Sequence, residues 1–191
     1  MDYYILVTGL MSSGKSTLMN EYMHAFPFKD FTKPPNVVKF RGMEFEFIDP
    51  AFAINYGGHN YNFYELDAPT VQKWIQFIKM ADAVMLVHNL QPKIVYGSHG
   101  KLMSAIEDNI RENTPILLIA NNYESEEEAI EKTKSMYVFQ RLEESDIEVV
   151  IISSGDTYFD KNYGMRIKMN EDHLKDVFFC AIKLISNKTK S

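Results

Sequence analysis

One cysteine, one tryptophan and four arginines stand among the 191 residues of this chain. The single thiol, Cys180, lies in an apolar helical run and forms no internal disulfide, which suits a reducing compartment. The arginines are Arg41, Arg111, Arg141 and Arg166. Enzymes that pass a phosphoryl group between two bound substrates surround it with cations, so this scarcity counts against a nucleotide or nucleoside kinase. Basic excess is lacking as well. A formal charge of -6 argues against a general nucleic-acid-binding surface. No apolar run reaches membrane-spanning length, and no signal peptide is read before the first apolar run. Residue 2 is aspartate, which excludes N-myristoylation, and residues 187–191 form no prenylation box. The expectation is a soluble cytoplasmic protein without a direct membrane anchor. There is no internal repeat, low-complexity segment or linker, and the length suits one domain over 1–191.

What is present is concentrated near the start. Tyr3 to Val7 is a short apolar run that reads as a buried strand. Gly9-Leu10-Met11-Ser12-Ser13-Gly14-Lys15-Ser16-Thr17 follows, and then a helical pattern from Leu18. Strand, glycine-bounded loop and Lys-Ser at a helix start make the phosphate-loop pattern GxxxxGK[ST]. Each residue type has a physical task there. Gly9 and Gly14 let the backbone bend and approach a ligand without a Cβ clash. Backbone N–H groups of the loop and the helix dipole favour anionic oxygens. Lys15 supplies a cation for the outer phosphates, and the Ser16 hydroxyl is a Mg²⁺ ligand candidate. Gly9, Ser12, Ser13, Gly14, Lys15, Ser16 and Thr17 are therefore the candidate nucleotide-binding residues.

The rest of the chain alternates strand and helix patterns. Prolines make 26–35 a loop. Asn36 to Phe40 reads as a short strand. Met43 to Asp49 alternates apolar and acidic residues, and Tyr61 to Asp67 returns after a turn at Asn55 to Asn60. A hairpin over 43–62 is expected from this. Helices are expected over Thr70 to Ala81, Lys101 to Glu112, Ser125 to Glu144 and Glu171 to Ile185. Ala83 to Val87, Pro115 to Ala120 and Ile147 to Ile152 read as buried parallel strands, and 153–169 as a polar, aromatic loop. The predicted class is α/β: three layers, a mostly parallel central sheet with helices on both faces, and an extra hairpin. Loops after Val7, Leu66, Ala120 and Ile152 then share one edge of the sheet, where α/β folds bind ligands.

On these residues the chain resembles the Ras-like small GTPases, and looks closest to the Arf and Rag branches. The phosphate loop matches at Gly9, Gly14, Lys15 and Ser16. The resemblance implies that Thr32, in a first switch loop, and Asp67, where the family has Asp-x-x-Gly, serve Mg²⁺ with Ser16. Here that motif reads Asp67-Ala68-Pro69-Thr70, with threonine in place of glycine. The family reads its base with Asn-Lys-x-Asp, and this chain has Asn121-Asn122-Tyr123-Glu124. Asn121 matches and Glu124 keeps the acid with a longer reach. Ser153-Ser154-Gly155 occupies the place of a further base-proximal loop.

The implied function is a guanine-nucleotide switch binding GTP or GDP with Mg²⁺. The family's water-orienting glutamine falls at Val71, so hydrolysis is expected to be slow, with Gln72 the nearest catalytic candidate beside Lys15. A nucleotide-bound scaffold without turnover is the alternative. The implied partner is a regulatory or effector protein, meeting the switch loops and the aromatic 43–62 hairpin. The five histidines have no ligand spacing.

Overall fold

The computed structural model of the chain describes residues 1–9, 13–25, 31–32, 37–40, 43–46, 51–66, 71–89, 96–121, 131, 147–152, 157–160, 164–167 and 171–188. Helices over Lys15–Ala25 (α1), Val71–Met80 (α2), Tyr96–Asn109 (α3) and Glu171–Lys188 (α4) surround a seven-stranded mixed sheet. Its strands are Asp2–Thr8 (β1), Phe31–Thr32 (β2), Ala51–Tyr56 (β5), His59–Glu65 (β6), Ala83–Asn89 (β7), Ile116–Asn121 (β8) and Ile147–Ile152 (β9). The order is β2-β5-β6-β1-β7-β8-β9. From β6 through β9 all neighbours are parallel, while β5 and β2 extend the sheet antiparallel.

The period-two alternation of β1 divides the core into two. Tyr3, Ile5 and Val7 pack with Leu18, Met19 and Tyr22 of α1 and with Leu174, Val177, Phe178, Ala181 and Ile182 of α4. Leu6 faces the other way, with Phe77 and Ile78 of α2 and with Leu102, Met103 and Ile106 of α3. Apolar side chains on both faces of one strand force helices onto both faces of the sheet, giving three layers. Each large apolar side chain so buried contributes about 1.5–3 kcal/mol. An aromatic cluster fastens β5 and β6 to the helices on the first face. Phe52 and Phe63 stack at 5.0 Å, and Phe178 meets Tyr22 at 4.2 Å, Phe52 at 5.2 Å and Phe63 at 5.2 Å.

The opposite end of the sheet is closed by Arg111. Its guanidinium donates to the Ala81 carbonyl at 2.7 Å and to Asp82 Oδ1 at 2.7 Å. The other oxygen of Asp82 accepts the Tyr4 N–H at 2.8 Å. One side chain thus ties the α3 exit to the α2 exit and to β1.

Several sequence expectations change. The hairpin forms between β5 and β6, not between Met43–Asp49 and the following strand. The reason is the turn. Gly57 and Gly58 have φ of 60° and 78°, the two-residue mirror-image geometry that requires its strands to flank it directly. Residues 43–46 (β4) pair instead with Val37–Phe40 (β3) in a separate two-stranded sheet. Within the expected loop at 153–169, Thr157–Asp160 (β10) and Gly164–Ile167 (β11) form another antiparallel pair. Phe31 and Thr32, expected in a loop, pair with Ile54 and Ala53. Helix α3 begins at Tyr96, five residues before the expected Lys101, despite Gly97 and Gly100. Burial of Leu102, Met103 and Ile106 outweighs the weak helix preference of those glycines. The expected helix over 125–144 lies outside the described residues, except that Glu131 is helical. Among the described residues no helix is long and apolar enough to cross a membrane.

Candidate functional site

Parallel pairing brings the carboxyl ends of β1, β6, β7, β8 and β9 to one edge of the sheet. Strand β1 lies at the centre, and the chain passes from β6 on one side of it to β7 on the other. Such a switch in strand order leaves a crevice beyond the strand ends. Gly9 and the N-terminus of α1 stand there.

Gly9 has φ of 153°, and a Cβ on it would lie 2.2 Å from the Val87 carbonyl oxygen and 2.9 Å from Ser13 Oγ. No side chain fits between this turn and β7. Gly14 has φ of 96° and its carbonyl accepts the Leu18 N–H at 2.8 Å, the first bond of α1. Backbone bent in this way leaves the first N–H groups of the helix without intrahelical partners. Ser13 is 2 % exposed, and its Oγ has no hydrogen-bond partner among the described residues. Buried hydroxyls are normally bonded, so this orphan beside the α1 N-terminus is an exception that calls for a partner.

Lys15 is 3 % exposed and donates from Nζ to the Gly9 carbonyl at 3.3 Å. Its ammonium is folded back across the mouth of the turn, beside the α1 N-terminus. Lysine is seldom buried to this degree unless it is paired, and the Gly9 carbonyl is one of its partners here. Ser16 is exposed, and its hydroxyl donates to Glu65 Oε1 at 2.6 Å. Thr17 is half-buried on the first turn of α1. Glu65 is the last residue of β6 and pairs with Val7, while the Leu66 N–H donates to the Val7 carbonyl at 3.0 Å. The two strand ends are therefore locked side by side, and the carboxylate is delivered to the serine from the neighbouring strand.

This set suits a phosphate-bearing ligand with a hard cation. The cramped Gly9 turn, the helix N-terminus and Lys15 favour anionic oxygens. Ser16 and Glu65 supply oxygen donors of the kind Mg²⁺ takes, and Mg²⁺ needs few protein ligands when phosphates and water complete its shell. Among the described residues no group of three His, Cys, Asp or Glu gathers to hold a metal without such help.

Other expected site residues fall in different places. Asn121 closes β8 at the same edge, in register with Asn89 and Ile152. Thr32 does not come to the edge. It pairs with Ala53, which pairs with Asn62, which pairs with Tyr4. Thr32 thus lies level with Tyr4, four residues short of Thr8. That is roughly 13 Å along the strands, and a further three strand spacings, roughly 14 Å, across them. Gln72 is in the first turn of α2, directly after Val71. Ser12, Asp67, Glu124, Ser153 and Ser154 lie outside the described residues. Glu65 was missed by sequence reasoning. Its place beside β1 is set by strand pairing, which the sequence does not spell out, and the resemblance marks Asp67 two residues later.

The aromatic residues of the expected partner hairpin divide. Phe52 and Tyr61 are buried in the core, whereas Tyr56 is 50 % exposed and rests edge-on against Phe179 at 5.5 Å. Among curated proteins and protein-family models, none matches this chain.

Proposed function

We propose that this chain is a guanine-nucleotide-binding switch of the phosphate-loop type, taking GTP or GDP with Mg²⁺ and hydrolysing GTP slowly. The observation that carries the reading is the turn itself. Gly9 admits no side chain, Lys15 is buried across its mouth, and Ser16 meets a carboxylate from the adjacent strand end. The first two bind and orient phosphate oxygens. The third offers a hydroxyl lone pair to the cation, which when bound supplies charge neutralisation between the outer phosphates. Asn121, at the end of β8, and Glu124 beyond it are assigned to the base, the acid accepting from guanine N1 and N2. The small-GTPase likeness is part of this proposal, supported by an α/β sheet whose β1 bears the loop at a change of strand order.

Position 71 shapes the expected turnover. Val71 opens α2 and has no hydrogen-bonding side chain for a water nucleophile. The same observation favours a second reading, a nucleotide-bound scaffold with no turnover. As a Mg²⁺ ligand, Thr32 would require β2 to leave its pairing with β5. The segment then becomes a natural element for a regulatory or effector protein to read.

Calorimetry with GTP and Mg²⁺ on the wild type and on Lys15→Ala tests the reading. Loss of a charge-assisted contact should cost about 1.5–3 kcal/mol, roughly ten- to a hundred-fold in affinity. Unchanged affinity in Lys15→Ala, or displacement of labelled GTP by equimolar ATP as effective as by GTP, sinks it.

A further inference from the structure

The pattern GxxxxGK[ST] specifies Gly9, Gly14, Lys15 and Ser16 and leaves position 13 to any residue. We infer that the Ser13 side-chain hydroxyl is a further binding group of this loop, held without a protein acceptor so that it donates to an oxygen of the bound phosphate chain. The inference rests on the nucleotide reading above and adds to it a donor and an exchange of fold stability for affinity.

Geometry comes first. Ser13 is 2 % exposed, and its Oγ is enclosed with no hydrogen-bond partner among the described residues. The oxygen lies against the turn, since a Cβ on Gly9 would stand 2.9 Å from it and 2.2 Å from the Val87 carbonyl oxygen. Lys15 Nζ donates to the carbonyl of the same Gly9 at 3.3 Å. The hydroxyl and the ammonium thus border one residue, and α1 starts at Lys15, two residues after Ser13. Both donors gather where the helix N-terminus already favours anionic oxygens. A serine hydroxyl moves between staggered positions by rotation about one bond, so it reaches a ligand oxygen without a backbone shift.

Energetics come second. Enclosed and unbonded, the hydroxyl has lost its water and gained no acceptor, which opposes folding. Alanine at this position would fit the same space without that cost. A fully ionised phosphate oxygen carries lone pairs and no hydrogen, so it only accepts, and the serine O–H is the complement it needs. A hydrogen bond to a charged acceptor is roughly twice as strong as one between neutral groups. Removing the hydroxyl therefore moves two properties in opposite directions. The ligand-free fold gains stability and the complex loses affinity. A serine that merely fastened the loop to a backbone carbonyl, such as that of Val87, would lower both when removed.

The test combines thermal melting of the ligand-free full chain with calorimetric titration by GTP in excess Mg²⁺, for wild type and Ser13→Ala. Ser13→Ala should melt about 2 °C or more above the wild type. It should bind GTP about ten- to a hundredfold more weakly. Unchanged affinity in the variant overturns the inference alone. So does a variant that fails to fold or melts below the wild type, because the hydroxyl then has a structural acceptor. Absence of GTP binding by the wild type overturns the nucleotide reading, and this inference with it.

Discussion

Replacing Gly9 by alanine is the sharpest test of how the loop is built. The added Cβ would lie 2.2 Å from the Val87 carbonyl oxygen, 2.9 Å from Ser13 Oγ and 3.2 Å from the Val87 carbonyl carbon. A carbon–oxygen pair needs more than 3 Å, so the turn and β7 must separate by roughly 1 Å. Neither partner yields easily. Val87 is 1 % exposed in the middle of a parallel ladder, and Ser13 is as tightly enclosed. Overpacking of this kind costs about 1–3 kcal/mol. The φ of 153° adds a further cost of about 1–2 kcal/mol for any residue with a Cβ. Together these give about 2–5 kcal/mol. At this chain length each kcal/mol lowers Tm by about 2–4 °C, so a fall of about 4–20 °C is expected. Urea denaturation and calorimetric melting measure it. Gly58→Ala is the control, because its φ of 78° is also positive but nothing lies within 4 Å of the added carbon. It should lose about 1 kcal/mol from backbone strain alone. If Gly9→Ala were no more destabilising than Gly58→Ala, the close approach of the turn to β7 would be wrong.

Gly100→Ala should stabilise the protein by about 0.5–1 kcal/mol, since Gly100 is helical and exposed with open space around it; a lower urea midpoint would contradict the α3 start at Tyr96. Arg111→Ala should destabilise by about 1–3 kcal/mol, because two C-terminal carbonyls next to α2 and the Asp82 carboxylate lose their donor. Adding Asp82→Ala should then cost less than it does in the wild-type background, and strict additivity in that double-mutant cycle would deny the coupling. Single-turnover phosphate release from bound GTP should be far slower than about 1 s⁻¹, as Val71 offers no group to orient water; faster release would overturn the slow-switch reading.

Much of the fold was written in hydrophobic period. Continuous apolar runs at Tyr3–Val7, Ala83–Val87 and Ile116–Ala120 are strands covered on both faces, and their order along the chain implied parallel pairing and a shared loop edge. The phosphate-loop pattern was equally legible, since its glycines, lysine and serine are neighbours in sequence. Hairpin partners were less so. Met43–Glu46 alternates as a sheet strand should, yet the glycine pair at 57–58 assigns Ala51–Tyr56 to β6 and leaves β4 to β3. Alternation says that a segment can pair, not with what.

The sequence alone determined the three-layer class, the loop and its edge of the sheet, because these follow from local period and from residues adjacent along the chain. Only the tertiary structure brought the Glu65 carboxylate to Ser16. Glu65 and Ser16 are separated by 49 residues, and their contact depends on the register of β6 against β1, set by the packing of both strands between the helix layers. The same long-range register put Thr32 beside Ala53 and level with Tyr4, away from the loop it was expected to serve. Strand register is a collective property of the core, and a shift of one residue would turn every buried side chain to the wrong face.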